Sequence, residues 1–404
     1  MTRSAPHGSA RIAALLAIAV LAEACTSGGG PILANPTAPR PSIAAPTVRP
    51  SRPADPIAIE LPRDDGPHDR LTEWWYYTGH LATADGRRFG FEDVIFRAER
   101  GGFPTSWVSH LAVTDESGGR FLYGQRLETG PQVDRSPRAA DGTPTGFDLS
   151  LAGTPANPAG TAAPSPWSMS GGGGTDRLSS AMTPDEAALA GSPEGLGLDL
   201  RLHATKPAAL QGADGWIDFG PAGGSYYYSR TSMTASGTLT LDGTRLDVTG
   251  VAWFDHQWGD FISVGGGGWD WFAVNLDDGS DLTLSLVRDA DGSYPLIYGT
   301  VVGADGKVSH LDRGSFTVEV RDHWTSPLTG ATYPAGWLVK VPGLDLEVRL
   351  TPTVAAQELD TRSTTGVVYW EGSQRVTATR AGRSLGGVAY VELTGYSPSA
   401  AAAP

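Results

Sequence analysis

Asp-Gly dipeptides at Asp85-Gly86, Asp141-Gly142, Asp242-Gly243, Asp278-Gly279, Asp291-Gly292 and Asp305-Gly306 punctuate this chain, with short alternating apolar and polar runs between them. Such pairs supply the positive-φ positions of tight hairpin turns, so each marks a reversal between antiparallel strands. The runs include Phe89 to Arg97, Thr238 to Leu241, Leu282 to Leu286, Phe316 to Val320 and Leu344 to Leu350. Their period of two predicts half-buried strands, and the fold class is all-β. One stretch, Thr183 to Leu189, is helix-like, short and Gly-flanked, and reads as an insertion. Sheets this numerous must hide their edges, and closure into barrels does so. A faint internal repeat argues for two barrels. Trp74-Trp75-Tyr76, the turn at Asp85-Gly86, a strand and Arg97 have a counterpart in Trp269-Asp270-Trp271-Phe272, Asp278-Gly279, a strand and Arg288. The Gly/Pro/Ala-rich segment from Arg138 to Pro166 reads as a loop excursion within the first barrel.

The chain of 404 residues is long enough for two cores once its N-terminus is set aside. Arg3 and Arg11 flank the start of an apolar run, Ile12 to Leu21, and small residues lead to Cys25, which is the layout of a secretory signal. The apolar run is too short to span a bilayer as a mature helix. A cysteine at the cut site resembles a bacterial lipoprotein signal, so lipidation of Cys25 is expected; simple secretion with an unmodified Cys25 is the alternative. Thr26 to about Asp55 is Gly, Pro, Ala, Ser and Thr without apolar periodicity, a composition that buries no core and serves as a tether. The expected organisation is a signal peptide over 1–24, a disordered linker over 25–56, and barrels over 57–246 and 247–398. The expected location is exported and membrane-anchored, on the periplasmic side of the cell envelope.

The formal net charge of -14 and the absence of a basic run argue against a nucleic-acid partner. Cys25 is the single cysteine, which excludes an internal disulfide and a Cys-based metal site. No G-x-S-x-G elbow, phosphate loop, H-E-x-x-H or G-x-G-x-x-G followed by a helix is present, and the eight His are not at ligand spacing from one another. Neither a metal nor a cofactor is expected.

Two aromatic clusters remain. One is Glu73 to Leu81, EWWYYTGHL; the other is Gly250 to Phe272, GVAWFDHQWGDFISVGGGGWDWF. Aromatics, carboxylates and a histidine around four consecutive Gly suggest a lined pocket, because a plain core strand gains nothing from acidic side chains. Asp255 lies beside His256 and after Trp253-Phe254, and Asp270 lies between Trp269 and Trp271. A carboxyl held among rings loses hydration, which raises its pKa and lets it act as an acid, while ring faces stabilise a cation formed nearby. Asp255, His256 and Asp270 are therefore the candidate catalytic residues. Trp74, Trp75, Tyr76, Trp253, Trp258, Trp269, Trp271 and Tyr227 are the candidate pocket lining. A structural reading stands beside this one. Asp255 and His256 pair with each other or with backbone at a barrel seam, Trp plugs a barrel mouth, and Trp74 to Tyr77 alternate so that one pair faces inward and the other outward. Glu73 reads as a paired charge, and His80 and His110 as structural.

These clusters, with Trp324-Thr325-Ser326-Pro327, Tyr333-Pro334, Gln357-Glu358-Leu359, Tyr369-Trp370-Glu371-Gly372 and the closing Gly387 to Tyr396, resemble the AttH/CrtC family over nearly the whole chain after residue 60. The resemblance implies a pair of lipocalin-like barrels. It also implies one of two functions, because the family includes carotenoid 1,2-hydratases, which add water to a terminal alkene without a cofactor, and exported lipoproteins encoded beside ABC-transporter permeases. On the hydratase model an Asp supplies the proton, and Asp255 and Asp270 are the matching positions. The expected ligand is a lipophilic molecule, a carotenoid, other isoprenoid or lipid. The alternative is a non-catalytic lipid-binding accessory of an ABC transporter.

Overall fold

The computed structural model describes residues 54–152, 165–261 and 267–397. The signal peptide, Cys25 and most of the linker lie outside the described residues. Strands β1 (Thr72–Ala82), β2 (Arg88–Ala98), β3 (Ser106–Asp115) and β4 (Arg120–Thr129) form one meander. They are followed by β5 (Phe147–Leu151), β6 (Trp167–Gly172), β7 (Thr175–Ala181) and β8 (Leu196–Ala204). Two short strands, β9 (Ala209–Leu210) and β10 (Trp216–Asp218), and two long ones, β11 (Gly224–Leu241) and β12 (Thr244–Gly259), complete the first sheet. Its path is β4-β3-β2-β1-β12-β11-β8-β7-β6-β5. The last strand lies against the first, so the meander rolls into a barrel and breaks between β4 and β5. The buried guanidinium of Arg126 on β4 spans that break, donating to the carbonyls of Leu151, Ser165 and Ala181 and to Glu186. Glu186 belongs to the helix expected from the sequence, α1 (Pro184–Leu189), which Thr183 and Glu186 close with a capping box.

The second sheet repeats the rule. Its strands are β13 (Gly268–Leu276), β14 (Asp281–Arg288), β15 (Leu296–Val302), β16 (Val308–Asp312) and β17 (Thr317–Val320). After the separate pair β18 (His323–Thr325) and β19 (Thr332–Pro334) come β20 (Trp337–Val341), β21 (Leu346–Pro352), β22 (Glu358–Asp360), β23 (Val368–Arg380) and β24 (Arg383–Thr394). The path β16-β15-β14-β13-β24-β23-β21-β20-β17 again sets last strand against first. The fold is thus two lipocalin-like barrels, and the internal repeat corresponds to the hairpins β1–β2 and β13–β14. Arg97 and Arg288 end those hairpins alike, each buried and donating to a backbone carbonyl, of Arg70 and of Thr394.

Of the Asp-Gly turns, Asp85-Gly86, Asp242-Gly243, Asp278-Gly279, Asp291-Gly292 and Asp305-Gly306 connect neighbouring strands. Asp242 and Gly243 both have positive φ, 49° and 70°, as a two-residue hairpin turn demands. Asp141-Gly142 instead turns back the loop between β4 and β5, within the expected excursion. The division between barrels differs from the sequence expectation. A boundary at 246/247 would cut β12, which pairs along its whole length with β1 and β11 of the first sheet. The changeover falls between Gly259 and Gly268. The Asp255-His256-Gln257-Trp258 motif therefore closes the first barrel and does not open the second.

Candidate functional site

Strand parity decides where every side chain of the two motifs goes, because neighbours along a strand point to opposite faces. On β1, Trp75 and Tyr77 enter the core of the first barrel with Trp107, Phe147 and Phe254, while Trp74 and Tyr76 face the second barrel. On β12, Phe254 and Trp258 point inward and Trp253 points to the second barrel. On β13, Phe272 enters the second core and Trp269 and Trp271 face back. The outward residues of the two barrels meet in one layer built from Trp74, Tyr76, Phe96, Trp253, Trp269, Trp271 and Tyr390. Tyr76 and Trp253 both meet the Trp271 ring edge to face, at 5.4 and 6.1 Å between centroids.

Four acids sit in this layer. Asp255 accepts from Tyr227 Oη at 2.5 Å, Ser229 Oγ at 2.5 Å and Trp253 Nε1 at 2.8 Å, and Tyr227 Oη accepts in turn from Trp271 Nε1 at 3.1 Å. Burial pushes the Asp255 carboxyl up to about 6 against these three donors. Glu392 accepts from Trp269 Nε1 at 3.0 Å, and burial, helped by the charge of Asp255, raises it to about 7. Glu371 stands directly across from Glu392 in the β23–β24 ladder and accepts from Tyr76 Oη at 2.8 Å. Glu92 accepts from Tyr369 Oη at 2.9 Å, and Tyr369 Oη also lies 2.7 Å from His110 Nδ1. Burial first, then the charges of Glu392 and Asp93 on Glu92 and those of Glu92 and Glu392 on Glu371, hold both well above the carboxylate range. Oε2 of each has no hydrogen-bond partner among the described residues, which suits a neutral acid far better than a carboxylate. Asp255, Glu392, Glu371 and Glu92 thus form a run of buried acids walled by aromatic rings.

The three candidate catalytic residues do not converge. Asp255 alone joins the layer. Asp270 points into the second barrel, where burial raises it to about 6 against the pull of Arg288 at 3.5 Å and Tyr396 Oη at 3.0 Å. His256 points into the first barrel and is buried against Trp75, its neutral form favoured by burial over the pull of Glu73. Of the expected lining, Trp74, Tyr76, Trp253, Trp269, Trp271 and Tyr227 belong to the layer; Trp75 and Trp258 are in the first core, because their positions on β1 and β12 have the opposite parity. Asp255 and His256 do not pair with each other.

His256 Nε2 is instead 3.0 Å from Glu73 Oε1, and His68 Nδ1 is 2.7 Å from the same oxygen. Glu73 is the paired charge the sequence suggested, and the two histidines hold it down at about 2 although burial works to raise it. Among the described residues, His68, Glu73 and His256 are the trio whose ligand atoms approach closely enough to hold a metal ion, all within 4.8 Å of one another. Their spacing along the chain gave no sign of this. His80 and His110 both join the barrels, His80 through Nε2 to the Ala389 carbonyl at 3.0 Å and His110 through Tyr369.

Sequence reasoning missed Glu92, Glu371, Glu392 and His68 as site residues. Glu371 and Glu392 were visible inside aromatic motifs, with the same acid-between-aromatics signal that singled out Asp255. Glu92 follows Phe91 in an ordinary-looking strand, and nothing local marks it.

The AttH-like family model matches residues 52–396. Among solved structures, the chain is similar to an AttH protein from Nitrosomonas europaea, with 30% identity and a TM-score of 0.69 over 87% of this chain and 100% of that one. It is similar to kievitone hydratase from Nectria haematococca, with 16% identity and a TM-score of 0.62 over 84% and 94% of the two chains. It is also similar to CghA in complex with Sch210972, with 12% identity and a TM-score of 0.52 over 81% and 89%. The likeness to the last two is one of fold. No curated protein matches the sequence.

Proposed function

The chain belongs to the AttH-like family, and on that premise we propose that it is a cofactor-independent hydratase of a lipophilic alkene, an isoprenoid such as an acyclic carotenoid, working between the two barrels. One observation carries the reading: Asp255 is a buried acid set among Tyr227, Trp253 and Trp271 where the barrels meet. Its carboxyl proton passes to the less substituted carbon of the terminal alkene, and the π electrons form the new C–H bond. The cation left on the neighbouring carbon is stabilised by the negative faces of Tyr76, Trp253 and Trp271. Water adds through oxygen, and its surplus proton returns to the Asp255 carboxylate, which restores the acid. Substrate plus water then equals product, and no other reactant is consumed. That a protein of this fold is named a kievitone hydratase fits this chemistry.

The lipoprotein-like N-terminus favours a second reading. Tethered by Cys25 to the cell envelope and exported, the barrels would carry a lipophilic molecule beside an ABC-transporter permease, with the aromatic layer as a binding wall. Incubation of the purified protein with an acyclic carotenoid, followed by mass spectrometry, separates the two. A product heavier by one water, absent with Asp255→Asn, supports the hydratase. A lipid that co-purifies and is returned unchanged, with no product from any alkene offered, refutes it in favour of the carrier.

A further inference from the structure

The hydratase reading leaves unused the two residues that the motifs share across the β1–β12 ladder, Glu73 and His256. They meet inside the first barrel, on the far side of β12 from Asp255, and His68 joins them from the segment that precedes β1. We propose that His68 Nδ1, Glu73 Oε1 and His256 Nε2 bind one divalent transition-metal ion, with zinc the best fit.

The donor set is two imidazoles and one carboxylate, which suits zinc, cobalt or nickel and disfavours calcium and magnesium, whose sites are built from oxygen. The distances are close to those required. Zinc bonds of about 2.0–2.1 Å at tetrahedral angles put ligand atoms about 3.3 Å apart. The observed 2.7 and 3.0 Å to Glu73 Oε1 need an opening of a few tenths of an ångström. The surroundings hold the ligands in place. Glu73 Oε2 accepts from the His68 backbone N–H at 3.0 Å. The far nitrogen of His68, Nε2, is 3.4 Å from Asp64 Oδ1, the carboxylate-to-histidine arrangement that orients metal ligands. Asp64 is itself fixed by Arg63 and by the Glu60 N–H. His68 stacks on Trp258 at 4.0 Å, and Trp75 and Trp258 hold the His256 ring, each at 4.7 Å. Among the described residues the His256 Nδ1 has no hydrogen-bond partner, which makes His256 the weaker of the two imidazole ligands.

Access is through His68. Its side chain is 19% exposed while those of Glu73 and His256 are fully buried, so an ion would reach the trio from the His68 side.

Equilibrium dialysis of the purified protein against zinc and against cobalt, followed by metal analysis and the cobalt visible spectrum, tests the assignment. The expected result is one ion per chain, four-coordinate cobalt absorption, and a Tm that rises with zinc concentration as mass action requires. His68→Ala removes the most exposed of the three ligands and leaves the buried pair intact, so it should fold and lose at least tenfold in affinity. Glu73→Gln keeps the shape and should lose more. Less than a tenth of an equivalent retained by the native chain, or affinity unchanged in His68→Ala, overturns the proposal. Neither result bears on Asp255, so the hydratase reading stands or falls separately.

Discussion

Asp255 and His256, adjacent in the chain, lie on opposite faces of β12: one carboxyl is buried between the barrels, while the imidazole is sealed in the first barrel against Glu73. The two belong to different chemistries. Apart from Trp253 on β12 itself, the residues that share the layer with Asp255 come from β1, β2, β11, β13, β23 and β24, all distant in the chain or on another strand.

Asp255→Asn should therefore separate from Asp270→Asn. The first removes the proton donor and should lower hydration about 10²- to 10⁴-fold, the usual contribution of a general acid, with ligand binding little changed. The second breaks a buried pair with Arg288 and should destabilise the fold by about 3 kcal/mol without altering turnover per folded molecule. Steady-state kinetics and denaturant unfolding on both variants would show the crossed pattern; equal loss of activity in both would contradict the assignment.

Stability should fall with rising pH through one buried acid that the proposed reaction does not use. Asp93 lies in the first barrel with Ser180 Oγ as its donor at 2.9 Å, and burial raises it from 3.8 to about 8. Between those values the unfolded chain has lost the proton and the folded chain keeps it. The folded state then binds more protons, so stability declines by up to about 1.4 kcal/mol per pH unit from this group and levels off above 8. Asp93→Asn should flatten the slope measured by urea unfolding between pH 5 and pH 8. An unchanged slope would show that Asp93 is ionised in the folded chain.

Arg126 closes the seam between β4 and β5, and its charge is balanced by Glu186 at 2.8 Å. Arg126→Met removes a donor from the Leu151, Ser165 and Ala181 carbonyls, of which Ala181 keeps Trp167 Nε1, and leaves Glu186 without its cation. A loss of about 1–3 kcal/mol is expected, because the carbonyls are buried while Glu186 is partly exposed and keeps access to water. Faster amide exchange along β5 and β6 should accompany it, since those strands form the freed edge.

Gly90 on β2 sets how closely the barrels approach. A Cβ there would stand 2.7 Å from both Ser373 Cβ and Tyr390 Oη of the second barrel. Gly90→Val should cost about 1–3 kcal/mol by overpacking and shift the fluorescence of the interfacial Trp residues. An unperturbed spectrum with native stability would mean that the layer yields without strain.

Much of this was legible in the chain. Period-two runs and Asp-Gly turns are local, so the strands, most hairpins and the pairing of two similar barrels follow from them; the alternation of Trp74 to Tyr77 already implied two faces. The aromatic motifs marked Asp255 correctly as an acid held among rings. What the sequence lacked was which face of each strand met which neighbour. Parity tells that Asp255 and His256 diverge, but only the docking of the barrels gives Asp255 the company of Glu392, Glu371 and Glu92, from strands more than 100 residues away on either side. Rolling the first sheet brings β12 against β1, and that long-range pairing alone sets His256 beside Glu73, with His68 folded over them. Local pattern fixes the period of a strand; the pairing of its two edges and the closure of its barrel are decided by contacts distant in the chain, and these create both the acid layer and the histidine site.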